Sequence, residues 1–235
     1  MKVTTDACLF GGLTPTLSIP IAIGREGEKQ VLDIGTGTGL LSLMCAQKNP
    51  GFIIDAIEID EEAFEQAKEN VSASPFVNRI QVIYGDARNF SFDKKYDLII
   101  SNPPFYEHEL KSKKENKNVA HHGEELSLIE LFDVIKNNLA EHGTFFLLLP
   151  YKRYKETRNI LSEHGLTLTR LIYIRQSTKH DYFRIVIEGK LKQDSSQEME
   201  INEISIWNDE EHYTDEFTVI LKDYYLGLTS QPPLQ

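Results

Sequence analysis

Cysteine is scarce in this chain of 235 residues: only Cys8 and Cys45 occur, and neither belongs to a CxxC pair or a Cys/His cluster. That excludes a disulfide scaffold and a zinc module, and no metal site is expected. A reducing cytoplasm is the expected compartment. Long apolar runs are missing as well. Nothing approaches the roughly 18 residues of a membrane span, and Met1 to Asp6 lead into no apolar signal segment. Neither secretion nor membrane insertion is expected. There is no internal repeat. No lysine follows the glycine-rich stretch, so a phosphate-binding Walker loop is unsupported. No Pro-Cys dipeptide occurs, so a covalent cytosine C5 mechanism is unsupported too.

The composition is that of a globular protein, with 40% hydrophobic and 26% charged residues. This length fits one core domain with an appendage, here divided into a core over 1–190 and an acidic C-terminal extension over 191–235. A chain this long buries about 70–75% of its unfolded surface, so its core needs no metal or disulfide.

The net charge of −11 argues against a nucleic-acid partner only until its distribution is read. Residues 191–235 hold ten acids and two bases, whereas 152–190 hold nine bases and four acids. The whole-chain total therefore hides a local basic stretch.

The core alternates strand and helix patterns, which predicts an α/β fold with a mostly parallel sheet and helices on both faces. Strands are expected at Gln30–Ile34, Phe52–Ile57, Ile80–Tyr84, Tyr96–Ser101, Thr144–Leu149, Leu168–Ile174 and Tyr182–Glu188, seven in all. Crossover helices are expected at Leu40–Lys48, Glu61–Ser72, Leu126–Leu139 (capped by Gly143) and Tyr154–His164. Residues 107–118 are charged and aperiodic, and are expected as a mobile loop. The tail adds an expected strand over Glu200–Trp207 and a helix over Tyr213–Leu226.

Asp33-Ile34-Gly35-Thr36-Gly37-Thr38-Gly39 follows a strand and opens a helix. Alternate glycines permit a tight turn and close ligand approach, and the helix start offers free N–H groups. The spacing is GxGxG rather than the GxGxxG of nicotinamide and flavin folds. Glu58, nineteen residues past Gly39, ends the second strand and suits a pair of ribose hydroxyls. Asp86, followed by Ala87, ends the third strand and suits an adenine amino group. Asn102-Pro103-Pro104-Phe105 ends the fourth strand on the same rim. An exocyclic amine on an aromatic base is a poor nucleophile because its lone pair is delocalised into the ring. The Asn102 side-chain oxygen and the Pro103 carbonyl are suited to accept its two N–H bonds and so direct the lone pair outward. The prolines stiffen the loop, and Phe105 offers a face to an extruded base. Stacking is worth ~1–3 kcal/mol, close to the cost of extrusion, so an unpaired target is expected.

The glycine loop with Glu58 and Asp86 resembles class I S-adenosylmethionine methyltransferases, and Asn102–Phe105 resembles the NPP[FY] signature of enzymes acting on exocyclic or amide nitrogens. More narrowly, Thr5–Gly11, Val31–Gly39, Asn102–Phe105, Tyr182–Val186, Tyr213–Phe217 and Tyr225-Leu226 are similar to the bacterial tRNA N6-adenine methyltransferases that modify adenine 37 in valine tRNA. The resemblance implies a class I (Rossmann-like) fold and S-adenosylmethionine as cofactor. It also implies a tRNA anticodon loop as partner and a monomeric enzyme. In it Asp33, Gly35, Thr36, Gly37 and Gly39 face the amino-acid part of the cofactor, Glu58 the ribose, and Asp86 and Ala87 the adenine. Thr5 and Asp6 lie over the cofactor, and Asn102 meets both cofactor and substrate.

Expected RNA contacts are Lys111, Lys113, Lys114 and Lys117 just past the catalytic motif, and Lys152 and Arg153 after the fifth strand. Arg158, Arg170, Arg175 and Lys179 are further candidates. His121 and His122 follow the loop, with a surface or capping role expected. Alternatives that keep the chemistry are a ribosomal RNA guanine N2-methyltransferase and, less well matched, a protein glutamine N5-methyltransferase. That last family carries a helical domain ahead of the cofactor fold. A non-catalytic scaffold is a third class, against which the intact Asn102 and glycine loop argue.

Overall fold

The computed structural model describes residues 3–15, 28–103, 126–192, 198–226 and 228. Pro104, Phe105, the loop at 107–118 with Lys111, Lys113, Lys114 and Lys117, and His121 and His122 lie outside these residues. The described chain runs α1 (Thr5–Leu13), β1 (Lys29–Ile34), α2 (Leu40–Lys48), β2 (Phe52–Glu58), α3 (Glu61–Ser72), β3 (Ile80–Tyr84) and β4 (Tyr96–Ser101). It continues with α4 (Leu128–Asn138), β5 (Leu139–Pro150), a 3₁₀ turn (Tyr151–Arg153), α5 (Tyr154–Glu163), β6 (Leu166–Ser177), β7 (Tyr182–Leu191), β8 (Glu200–Trp207) and α6 (Asp215–Leu221).

Apolar runs such as Val31-Leu32 and Leu98–Ile100 are buried on both faces, as a parallel sheet between helices requires. The sheet order is β3-β2-β1-β4-β5-β7-β6-β8. Only β7 runs against its neighbours, pairing antiparallel with β5 and β6. The described sheet has eight strands rather than seven, because the strand expected at Glu200–Trp207 in the acidic tail, β8, joins the seven core strands by adding parallel to β6 at the edge. One apolar layer joins α1, α2 and α6 to the sheet through Phe10, Met44 and Phe217. The other joins α4 and α5 through Phe132, Ile135 and Ile160.

Helix α1 was not expected from the sequence. Its two glycines disfavour a helix, yet both are packing devices: a Cβ on Gly11 would lie 2.4 Å from the Met44 sulfur, and one on Gly12 2.7 Å from Ile220. Phe10 stacks on Phe146 of β5 at 5.0 Å, which seals the helix onto the sheet. Gly143 is not a helix cap. Helix α4 passes directly into β5 at Leu139, and Gly143 lies where the β4–β5 register shifts between Tyr96 and Leu98. A Cβ there would lie 2.7 Å from the Tyr96 carbonyl oxygen.

The charge segregation of the sequence is partly offset in space. Arg170 of β6 approaches Glu200 of β8 at 4.0 Å, and Arg175 approaches Glu203 at 3.6 Å. Lys179 donates to the Asp209 carbonyl at 3.2 Å. Three of the further RNA candidates thus face the acidic tail, in partly exposed contacts of small energy.

Gly189 of β7 sits against Phe145 and Leu168 in register, and a Cβ there would lie 2.5 Å from the Thr167 carbonyl oxygen. Gly189→Ala is expected to lower stability by about 1–3 kcal/mol or more, read as the urea midpoint. Gly11→Ala, which meets a flexible methionine, is expected to cost less. Equal midpoints for the two variants would contradict this packing.

Candidate active site

The site is built where parallel strands end together. The register aligns Ile34 of β1 with Ile57 of β2 and with Ser101 of β4. One residue further on, Gly35, Glu58 and Asn102 leave the sheet side by side. Ser101 Oγ donates to the Ile34 carbonyl at 2.7 Å, pinning the end of β4 to the end of β1. Asn102 is partly buried and Pro103 buried at this edge.

The glycine loop is folded by main-chain bonds. Gly35 and Thr36 donate to the Ile57 carbonyl at 2.9 and 3.1 Å, and Gly39 donates to the Thr36 carbonyl at 3.0 Å. Gly35 takes φ +68°, and a Cβ on it would meet nothing within 4 Å. Its glycine is required by backbone conformation, and open space lies beside it. Gly39 at φ +81° begins α2, whose first N–H groups face the loop.

Glu58 closes the loop. Its Oε2 accepts from Gly37 N–H at 2.8 Å, and its Oε1 accepts from Ile59 and Asp60 N–H, each at 2.9 Å. The carboxylate is therefore held in one orientation at the β2 terminus, with one lone pair, on Oε2, remaining for a further donor.

Asp33 is fully buried. Its Oδ2 accepts from Thr36 Oγ1 at 2.6 Å and Ser42 Oγ at 2.7 Å, while its Oδ1 has no partner. Burial raises its pKa to about 6 against these two hydrogen bonds. A buried unpartnered acceptor is costly, and it suits a cationic donor arriving with a ligand.

Asp86 is not a bare acceptor. Arg88 N–H and Nε donate to Oδ1, Nε also reaches Oδ2, and Asn89 Nδ2 donates to Oδ2 at 3.1 Å. These bonds, led by Arg88, hold its pKa below the ordinary carboxylate range. Arg88 Nη1 continues to Glu130 at 3.3 Å, whose carboxylate forms the capping box of α4 with Ser127. Ala87 and Arg88 border a cleft of about 380 Å³ with Phe90, Phe92 and Glu130. The sequence reading missed Arg88, although its place two residues past a strand-ending aspartate was visible.

Asp6, in the first turn of α1, accepts from Arg184 Nε at 2.8 Å. Arg184 pairs with Pro150 at the carboxyl end of β5, so this bond brings the start of α1 to the same rim. Burial raises the Asp6 pKa, but hydrogen bonds from Thr4 and Arg184 outweigh it and leave a net lowering. Thr5, also in that turn, is exposed. Lys48 donates to the carbonyls of Gly12 and Thr14 at 2.8 and 2.7 Å, fixing the other end of α1. Lys152 is exposed in the 3₁₀ turn after β5. Arg153 beside it is held by Glu156 at 2.6 and 2.9 Å. Cys45 is buried, its pKa pushed up to about 12 by burial, so it is an inert core thiol. Among the described residues no group of acids, histidines and cysteines has the arrangement of a metal site, and no helix is long and apolar enough to cross a membrane.

Comparison with known proteins decides what this rim belongs to. Residues 21–163 match the family model "Methyltransferase small domain". The chain is 36% identical over 230 residues to a tRNA1(Val) (adenine(37)-N6)-methyltransferase of Parabacteroides distasonis, covering 97% of this chain and 92% of the relative. A protein of the same name from Dyadobacter fermentans is 40% identical over 187 residues, covering 80% of this chain and 74% of the relative. The chain belongs to this methyltransferase family. Among solved structures, a predicted O-methyltransferase of Agrobacterium tumefaciens superposes with a TM-score of 0.65 at 15% identity, covering 92% of this chain and 95% of that one. The glycopeptide N-methyltransferase MtfA complexed with S-adenosyl-L-methionine superposes with a TM-score of 0.51 at 12% identity, over 70% of this chain and 82% of that one. These two likenesses show the fold: a class I methyltransferase sheet with helices on both faces.

The raised Asp33 pKa makes a testable statement about the family's first motif. Its folded value lies above the unfolded one, so ionised Asp33 destabilises the fold. That cost is absent below about pH 4, grows between about pH 4 and 6, and is constant above. Asp33→Asn is therefore expected to raise the urea midpoint of the ligand-free protein at pH 7.5, with the gain vanishing toward pH 4. A gain independent of pH would contradict the assignment.

Proposed function

We propose that this enzyme transfers a methyl group from S-adenosylmethionine to the exocyclic N6 of adenine 37, beside the anticodon, in a valine tRNA. The observation that carries the proposal is the alignment of Asn102 with Gly35 and Glu58 across three strand ends. Family membership adds the acceptor, since the relatives that match nearly the whole chain bear that name.

The residues present fit the cofactor. The open space at Gly35 admits a ligand against the backbone, and the unpartnered Asp33 Oδ1 suits a cationic amine. Asp33, Gly35, Thr36, Gly37 and Gly39 would hold its amino-acid part, Glu58 its ribose, and Asp86 with Ala87 its adenine. Thr5 and Asp6 would cover it from α1. Bound there, the cofactor supplies a methyl group made electrophilic by a positively charged sulfur.

The chain's own part is to shape the nucleophile. Asn102 Oδ1 and the Pro103 carbonyl oxygen accept the two N–H bonds of the adenine amine. That arrangement withdraws the lone pair from the ring and stabilises positive charge as it develops on nitrogen. Pro103 and Pro104 restrict the loop so that these two oxygens keep their spacing. Phe105 stacks on the base, and Lys111, Lys113, Lys114, Lys117, Lys152 and Arg153 meet phosphates around it. Arg88 holds Asp86 in orientation, so adenine recognition falls on an acid already fixed in place. A location in the cytoplasm, where tRNA is found, accords with this role.

The test uses an unmodified valine tRNA transcript and its A37G counterpart, with nucleoside mass spectrometry of the products. N6-methyladenosine from the first RNA and no product from the second is the expected result. N2-methylguanosine would instead establish the guanine-acceptor alternative. Asn102→Ala is expected to lower the transfer rate by at least about 100-fold, with calorimetric affinity for S-adenosylhomocysteine within a few-fold of the parent. Equal losses of rate and affinity would contradict the role of Asn102.

A further inference from the structure

Four tyrosines gather on the rim beside the site with no role in the chemistry above. Tyr173 and Tyr182 lie 4.9 Å apart between ring centres, at an interplanar angle of 31°. Tyr151 sits edge-on to Tyr173 at 5.9 Å and tilted on Tyr182 at 5.6 Å. Tyr154 meets Tyr173 at 6.1 Å. Two guanidinium groups lie over these rings, Arg175 on Tyr182 at 5.6 Å and Arg158 on Tyr154 at 5.9 Å.

The position of this cluster is set by register. Ser101 of β4 pairs with Leu147 of β5, so Asn102 and Pro103 stand opposite Leu148 and Leu149, and Tyr151 begins just beyond. Neighbouring strands are roughly 4.8 Å apart, which puts Tyr151 within one nucleotide's reach of the Asn102 loop. The cluster is not core: Tyr151 is 41% exposed, and the other three rings are half-buried.

We propose that Tyr151, backed by Tyr154, Tyr173 and Tyr182, is a stacking platform for an unpaired base next to the methylated adenine. This rests on the tRNA assignment and adds to it a second base-binding surface, separate from the pocket for the target. Ring faces carrying hydroxyls and flanked by guanidinium groups match a nucleobase with its phosphate better than an aliphatic protein surface. Lys152, Lys155 and Arg158 are exposed along the turn and helix that carry Tyr151 and Tyr154. The acids facing the cluster give it a direction. Tyr182 donates its hydroxyl to Glu203, Glu203 also pairs with Arg175, and Asp181 is exposed nearby. The Arg175 charge at that end is already met by Glu203, so the strand runs over Tyr151 and Lys152. A duplex hides its base faces, whereas a loop presents them, so the platform selects a single-stranded segment.

The experiment uses the full chain and an anticodon stem-loop RNA carrying 2-aminopurine 3′ of the target adenine. The wild-type protein is expected to quench its fluorescence and to methylate the RNA. Tyr151→Ala is expected to lose the quench and to raise the KM for RNA by about ten-fold, with kcat nearly unchanged. Tyr151→Phe is expected to restore both signals, because the ring remains. A wild-type protein that methylates this RNA without quenching it, or a Tyr151→Ala protein with unchanged KM, overturns the platform alone. A wild-type protein that does not methylate it overturns the tRNA assignment as well. Heat of S-adenosylhomocysteine binding shows that each variant is folded.

Discussion

The Glu58 carboxylate bonded to the Gly37 N–H is the interaction on which the rim depends. A five-residue loop of alternating glycines has little reason of its own to adopt one conformation, since each glycine brings large backbone freedom to be lost. Three charge-assisted hydrogen bonds from Gly37, Ile59 and Asp60 converge on this one acid. They set the loop, orient the acid and fix the distance between the ends of β1 and β2. The parallel register then carries that reference point across to Asn102 on β4.

Around this frame, parts distant in sequence are fastened to the rim by single polar contacts over apolar packing. Helix α1 is pressed onto the sheet by Phe10 and Cys8, but its position along the rim is set by Asp6 with Arg184 and by Lys48 with its last carbonyls. Helix α4 is tied to the end of β3 through Glu130, Arg88 and Asp86. The acidic tail adds an edge strand that engages Arg170 and Arg175.

What could be read without coordinates followed from how each residue's role is encoded. The glycine loop, Glu58, Asp86 and Asn102 were legible because each ends a strand whose apolar run stops at a recognisable residue, and a parallel sheet puts such ends on one rim. The bounds of β3 and β4 agree with the structure for the same reason. Helix α1 was not legible, because Gly11 and Gly12 look like breakers until Met44 and Ile220 are seen to need the space. Gly143 resembled a cap because a helix pattern precedes it, but its job is to let β5 approach Tyr96. Arg88 went unmarked, and Arg184 stood only within the Tyr182–Val186 segment, because a lone arginine on a strand or turn has no pattern. Their meaning lies in Asp86 and Asp6, the latter 178 residues away. The tyrosine cluster is of the same kind: Tyr151 and Tyr154 are three apart at the start of α5, but no linear spacing relates them to Tyr173 and Tyr182.

The chemistry assigned to the site asks little of acid–base catalysis and much of placement. In the proposed mechanism Asp33 and Glu58 serve binding and Asn102 and Pro103 offer oxygens rather than protons, while the buried Cys45 thiol is inert. Everything then turns on whether the glycine loop held by Glu58 is the cofactor site. Titration calorimetry of S-adenosylhomocysteine into the parent and into Glu58→Gln is the most direct measurement. In the variant an amide N–H would face the donors that the carboxylate now accepts. The account predicts saturable one-site binding to the parent and affinity at least ten-fold weaker in the variant, as expected for a lost charged hydrogen bond. No heat with the parent, or equal affinity for both proteins, would contradict it.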